Sequence, residues 1–173
     1  DVIISNNMTQ NNGGGMLASY SDPTFYDIQI RDNHAEIDGG GLFFYNSDAI
    51  INNGIIENNT VVDDGGGIYL YSSNPNISNT KINNNISDDT GGGICITEGS
   101  NPSLNFINFF ENRAVDNGGG IALYNSDLTV FTNITVTKNR TEDQGGGIFL
   151  INSDPIITNS IFWNNIPESI HIY

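Results

Sequence analysis

The chain has 173 residues, and its formal net charge is −15 because 20 Asp and Glu residues outnumber 5 Lys and Arg residues. This charge repels phosphate backbones and anionic lipid headgroups, so we expect no nucleic-acid partner and no membrane insertion. No apolar run approaches the roughly 18 residues of a membrane-spanning helix. The single cysteine, Cys95, excludes an internal disulfide framework.

The sequence is an array of repeats. Six Gly-Gly-Gly triplets recur at intervals of 26 or 27 residues, at 13–15, 39–41, 65–67, 91–93, 118–120 and 145–147. Internal periods of this size are typical of solenoids, in which each repeat buries its apolar face only by stacking on its neighbours.

Each triplet is followed by two apolar positions spaced two residues apart, which predicts a short strand with one face in the core. These residues are Met16, Leu42, Ile68, Ile94, Ile121 and Ile148, then Ala18, Phe44, Leu70, Ile96, Leu123 and Leu150. A turn rich in Ser, Asp, Asn and Pro comes next. Two further apolar positions complete the repeat: Phe25, Ile51, Ile77, Leu104, Val130 and Ile157, then Ile30, Ile56, Ile82, Phe109, Val136 and Phe162.

Three apolar stretches per repeat, separated by polar corners, predict an all-β, three-sided β-solenoid. It would have about 26 residues per coil and six to seven coils, so that the rod is on the order of 30 Å long at about 4.8 Å per coil. Helices are excluded because no stretch keeps a 3.6-residue apolar period. We therefore expect one repeat domain over residues 1–173.

An asparagine lies six residues before each triplet and keeps the same phase in the last coil. The set is Asn7, Asn33, Asn59, Asn85, Asn112, Asn139 and Asn165. An inward asparagine can both donate to and accept from the asparagines of adjacent coils, so this column predicts a structural ladder of buried amides.

These motifs resemble the FxxN and GGA(I/L/V) repeats of chlamydial polymorphic membrane proteins and of secreted right-handed parallel β-helix proteins. FxxN is intact at Phe109 to Asn112 and at Phe162 to Asn165, whereas Ile or Val replaces Phe elsewhere and a third Gly replaces Ala. The resemblance covers essentially the whole chain. Together with the right-handed rule for parallel crossovers, it implies a right-handed parallel β-helix of bacterial secreted or cell-surface type.

Outward positions of the strand after each triplet form two parallel stripes. They contribute a candidate interaction face of Leu17, Phe43, Tyr45, Tyr69, Tyr71, Tyr124 and Phe149. An exposed apolar patch of this extent marks an interaction surface. Three interpretations remain open: packing against another protein element, stacking on sugar rings, and aromatic residues simply tolerated on a sheet.

The corner before the triplets is acidic, and stacked carboxylates about 5 Å apart repel one another. The candidate metal ligands are Asp63, Asp64, Asp88, Asp89, Asp116 and Asp143. Calcium could bridge neighbouring coils through these oxygens, whereas solvated, divergent side chains are the competing interpretation. We expect no other cofactor.

Six N-x-S/T sequons occur, and three of them fall on ladder asparagines that should point inward. Asn58, Asn76 and Asn133 remain as candidate glycosylation sites.

The few basic residues are scattered and the coils are uniform, so we expect no catalytic residues and no enzyme activity. The predicted function is that of an extracellular, cell-surface structural or adhesive solenoid: a rigid spacer, surface-layer or filament component with a repetitive recognition face. The alternative is a carbohydrate-binding or polysaccharide-degrading module. Expected partners are copies of the chain stacked end to end or laterally, further domains of a longer chain, glycans, or a cell-surface receptor.

Overall fold

A computed structural model describes residues 2–173, which form 23 β-strands and no helix. The strands wind into about seven stacked coils, and every pairing between coils is parallel. Three sheets result, one on each side of the coil. The predicted all-β, three-sided parallel solenoid is thus confirmed.

The first sheet has eleven strands: β1 (Val2–Ser5), β4 (Thr24–Tyr26), β5 (Ile28–Arg31), β8 (Ile50–Asn52), β9 (Ile55–Glu57), β12 (Asn76–Asn83), β15 (Ser103–Phe110), β18 (Val130–Thr132), β19 (Thr135–Thr137), β21 (Ile156–Thr158) and β22 (Ile161–Trp163). The second sheet has five: β2 (Met8–Thr9), β6 (His34–Ala35), β10 (Thr60–Val61), β13 (Ile86–Ser87) and β16 (Arg113–Ala114). The third sheet has seven: β3 (Met16–Ser19), β7 (Leu42–Tyr45), β11 (Ile68–Tyr71), β14 (Ile94–Thr97), β17 (Ile121–Tyr124), β20 (Ile148–Ile151) and β23 (Ile170–Ile172).

The core fills the inside of the coils with aliphatic and phenylalanine side chains. Equivalent positions pair directly, as in the column Leu42, Ile68, Ile94, which has no solvent exposure. Phe44 and Phe109 are among the largest fully buried side chains. Because each such burial is worth about 1.5–3 kcal/mol, stacking of the coils supplies the stability that a single coil lacks.

The repeat pattern placed Val130 among the recurring apolar positions, but the inward residue of this coil is Phe131. Phe131 pairs with Leu104 and Ile157 and is fully buried, whereas Val130 pairs with the outward Ser103. The turn at 127–129 carries one extra residue, because Ser126 matches Ser153 after 27 residues but Val130 matches Ile156 after 26. Counting from the glycine triplet therefore misplaced this residue by one.

The predicted ladder asparagines lie in one column, where the amides from Asn33 to Asn139 are each bonded to the asparagines of both adjacent coils. In the middle coils, Asn85 Oδ1 accepts the backbone N–H and the side-chain Nδ2–H of Asn59 at 3.0 Å each. Its own Nδ2 donates to Asn112 Oδ1 at 3.1 Å and to the Ile56 carbonyl at 2.9 Å. The same pattern runs from Asn7 to Asn165.

At the glycine triplets the backbones of adjacent coils come so close that no side chain fits between them. A Cβ on Gly92 would lie 2.3 Å from the Arg113 carbonyl oxygen and 2.5 Å from that of Gly119. Any larger residue would force the coils apart, so this corner of the solenoid requires glycine.

Candidate recognition face

Two columns of side chains run along the outer surface of the third sheet, in the register predicted from the triplets. We call the one nearer the triplet the proximal column: Leu17, Phe43, Tyr69, Cys95, Ala122 and Phe149. The tyrosine column lies two residues further along each strand: Ser19, Tyr45, Tyr71, Thr97, Tyr124 and Ile151. The seven predicted face residues thus lie on one surface of one sheet.

The expectation that the whole face is exposed is wrong for the proximal column. Phe43 and Phe149 are only 5% and 2% exposed, and Cys95 and Ala122 are fully buried. The corner backbone covers them, since a Cβ on Gly39 would lie 3.0 Å from Phe43 Cβ. The neighbouring coil adds a second cover, with the Phe43 and Tyr69 rings stacked at 5.3 Å. Leu17, in contrast, is exposed.

The tyrosine column keeps its rings half-exposed. The Tyr45 and Tyr71 rings stack at 5.1 Å between centroids with 20° between their planes. Tyr20, which the sequence analysis did not include, meets Tyr45 edge-on at 5.4 Å and is exposed. These three rings form a continuous aromatic surface along the rod, and Tyr124 adds a fourth ring two coils beyond Tyr71.

The residue directly before each triplet belongs to a polar column. In this column a side-chain oxygen of one coil accepts a hydrogen bond from the backbone N–H of the next coil. Asp64 Oδ1 accepts the Thr90 backbone N–H at 3.1 Å, and Asp38 Oδ1 accepts that of Asp64 at 3.4 Å. Burial, with the charges of neighbouring carboxylates added, raises the pKa of Asp38 to about 6 and the pKa of Asp64 to about 7. The sequence places Asp38 in the same acidic corner, but the candidate metal ligands did not include it.

One position earlier, the acidic column consists of Asp63, Asp89, Asp116 and Asp143, all exposed at the corner. Asp88 is exposed beside it. These carboxylates make no ion pair within residues 2–173. No three or more His, Cys, Asp or Glu side chains in that range are grouped to hold a metal ion, and the calcium site stays a prediction.

The charges of the corner carboxylates act on two tyrosines of the third sheet, Tyr69 and Tyr124. The Tyr69 hydroxyl is 3.4 Å from Thr97 Oγ1. Burial raises the pKa of Tyr69, and the charges of Asp38 and Asp64 add to that shift. Burial raises the pKa of Tyr124 in the same way, with Asp64 and Asp89 contributing. The acidic corner and the tyrosine column therefore approach each other at Tyr124.

Several basic side chains contact groups other than the carboxylates of the acidic column. Arg113 Nη2 is 2.6 Å from Glu142, His34 Nε2 is 3.3 Å from Glu36, and Lys138 lies over the Phe110 ring. A surface depression of about 320 Å³ on the first sheet holds one carboxylate, Glu57, and one amine, Lys81.

The candidate glycosylation sites differ in accessibility. Asn58 and Asn76 are exposed, whereas Asn133 is half-buried and its Nδ2 donates to Asn105 Oδ1 at 3.2 Å. Of the three sequon asparagines expected to point inward in the ladder, Asn85 and Asn139 are buried. Asn7, the first member of the ladder, is exposed, so the expectation is wrong for Asn7.

The family model described as right handed beta helix region matches residues 1–133 and 52–173. The chain belongs to the right-handed β-helix family. Searches of curated proteins and of solved structures returned no significant match. The family fixes the handedness of this β-helix but not its function, because one fold hosts many functions. Within residues 2–173 of the β-helix there is no helix with the length and apolar character to cross a bilayer.

Proposed function

We propose that this β-helix is an extracellular structural or adhesive rod that binds its partner through the tyrosine column. The observation that carries the proposal is the stacked, half-exposed rings of Tyr45 and Tyr71 on a sheet whose other outward aromatic side chains are mostly covered. Tyrosine supplies a large, rigid contact surface with a polar tip, which suits recognition.

The scaffold supports this role. Parallel hydrogen bonding is continuous from coil to coil, and the asparagine ladder adds a second set of bonds along the axis. A side chain in one coil is therefore held at a fixed spacing from its equivalent in the next, and a repetitive ligand can be matched residue by residue.

The resemblance to repeats of chlamydial polymorphic membrane proteins and other secreted β-helix proteins favours an extracellular or cell-surface location and a role as spacer, surface-layer or filament component. Association of copies end to end or laterally stays a prediction, as does glycosylation at Asn58, Asn76 or Asn133.

A carbohydrate-binding or polysaccharide-degrading module is the second candidate, favoured by the same half-exposed rings, because aromatic faces also stack on sugars. Binding measurements with a panel of neutral and acidic glycans and of acidic and basic polypeptides distinguish the adhesive rod from the carbohydrate-active module. We expect binding of at least one panel member to fall on Tyr45→Ala/Tyr71→Ala substitution, without turnover of any polysaccharide. Turnover that survives purification, or no binding that depends on these tyrosines, would refute the proposal.

A further inference from the structure

We propose that the partner of the tyrosine column is a basic polypeptide segment, rich in Lys or Arg, that lies along the rod between the tyrosines and the acidic column. This inference rests on the proposed function and names the chemistry of the partner at the same surface.

The first step is the excess of negative charge beside the rings. Asp63, Asp89, Asp116 and Asp143 contribute one exposed carboxylate in each of four consecutive coils, which are stacked about 4.8 Å apart. Asn11 and Ile37 occupy this position in the two preceding coils. None is neutralised by a basic side chain within residues 2–173. Such a row of like charges is a favourable surface for a cationic ligand and repels an acidic polysaccharide.

The second step is the position of the rings relative to these charges. Asp63 lies two residues before Gly65, and a Cβ on Gly65 would lie 2.9 Å from the Tyr69 Cβ; Tyr71 follows two residues later on the same outer face of β11. The rise in the pKa of Tyr124, caused mainly by burial with Asp64 and Asp89 contributing, agrees with this placement. Tyr45 and Tyr71 continue the same column, with their rings 5.1 Å apart. A Lys or Arg side chain can pack its aliphatic stem or guanidinium plane on these rings while its charge faces the corner carboxylates.

The third step is the arrangement of the charges. The carboxylates are spread along the axis, one in each of four consecutive coils. A row of this kind matches a ligand that carries several positive charges along its length.

The test measures binding of nona-arginine and nona-lysine peptides to the intact chain by calorimetry at low salt, with nona-glutamate as the negative probe. We expect Asp63→Asn/Asp116→Asn to weaken binding of the basic peptides roughly threefold to tenfold. We expect Tyr45→Ala/Tyr71→Ala to weaken it about tenfold. Tyr45→Phe/Tyr71→Phe should retain binding because the rings remain.

The matched control is Asp27→Asn/Asp32→Asn, which removes two exposed carboxylates from the first-sheet side. Asparagine already occupies these columns in other coils, as at Asn53 and Asn58, with the same positive φ. This control should change affinity less than about twofold. Melting temperatures of all variants report whether the fold is retained.

An equal loss of affinity in the control and in Asp63→Asn/Asp116→Asn would overturn the inference, because binding would then follow net charge alone. Preferential, tyrosine-dependent binding of a neutral glycan would also overturn it while leaving the proposed recognition face intact. If no panel member depends on Tyr45 and Tyr71, the proposed function itself fails.

Discussion

Replacing Asn85 by Ala should destabilise the solenoid far more than the same change at the end of the ladder. Asn85 is fully buried and makes four side-chain hydrogen bonds, with Asn59, Asn112 and Ile56. Alanine leaves the Asn59 backbone N–H without its acceptor and removes a donor from the Ile56 carbonyl. Each buried polar group left unmatched costs about 1–3 kcal/mol, so we expect a total loss of about 3 kcal/mol.

The matched control is Asn7→Ala. Asn7 is exposed and its Nδ2 donates a single bond, to Asn33 Oδ1 at 2.9 Å, so its loss should cost about 0.5–1 kcal/mol. Urea denaturation followed by circular dichroism measures both changes, and an unchanged m-value shows that the whole array still unfolds together. A cost at Asn85 equal to or below that at Asn7 would show that the ladder does not stabilise the core.

Three further outcomes follow from the structure. Gly92→Ala should destabilise the folded chain by about 3 kcal/mol or more, because the added Cβ would contact the Arg113 carbonyl. At Gly99 a Cβ has open space but φ is positive, so Gly99→Ala should cost about 1–2 kcal/mol. Urea denaturation measures both changes. Asp64 has a folded-state pKa of about 7, which is above its value in the unfolded chain. Its contribution to stability is therefore present below pH ~4 and is lost as the pH rises through 7, a loss on the order of 2 kcal/mol. Melting curves across this pH range should show a smaller loss for Asp64→Asn. Calcium binding at the acidic corner predicts a melting temperature that falls on adding chelator at low salt, and an unchanged value contradicts it.

The architecture could be predicted from the sequence because the glycine triplets and the asparagine column each identify one corner of every coil. Each of these corner positions requires one residue type, either glycine or an asparagine that pairs with its equivalents. The requirement repeats in every coil, so a single sequence shows it. The choice of Val130 instead of Phe131 was wrong because the deciding information is not local. An extra residue in the turn at 127–129 shifts the repeat by one, and only the pairing of Phe131 with Leu104 and Ile157 shows that Phe131 points inward.

The recognition face was only partly predictable. Alternation along a strand shows which side chains point outward but not whether another segment covers them. Phe43 is an example, because it points outward but is buried by the corner backbone at Gly39. Tyr20 was missed because it lies one residue beyond the predicted stripe, where its contact with Tyr45 depends on the turn conformation. The shared position of Asp38 and Asp64 before their triplets was a usable signal.

The most direct test of the recognition face is hydroxyl-radical footprinting of tyrosines by mass spectrometry, with and without the panel member that binds most tightly. We expect protection of Tyr45 and Tyr71 on the third sheet, with unchanged labelling of Tyr26, which is 65% exposed on the first sheet. Protection of Tyr26 with unchanged labelling of Tyr45 and Tyr71 would contradict a recognition face on the third sheet.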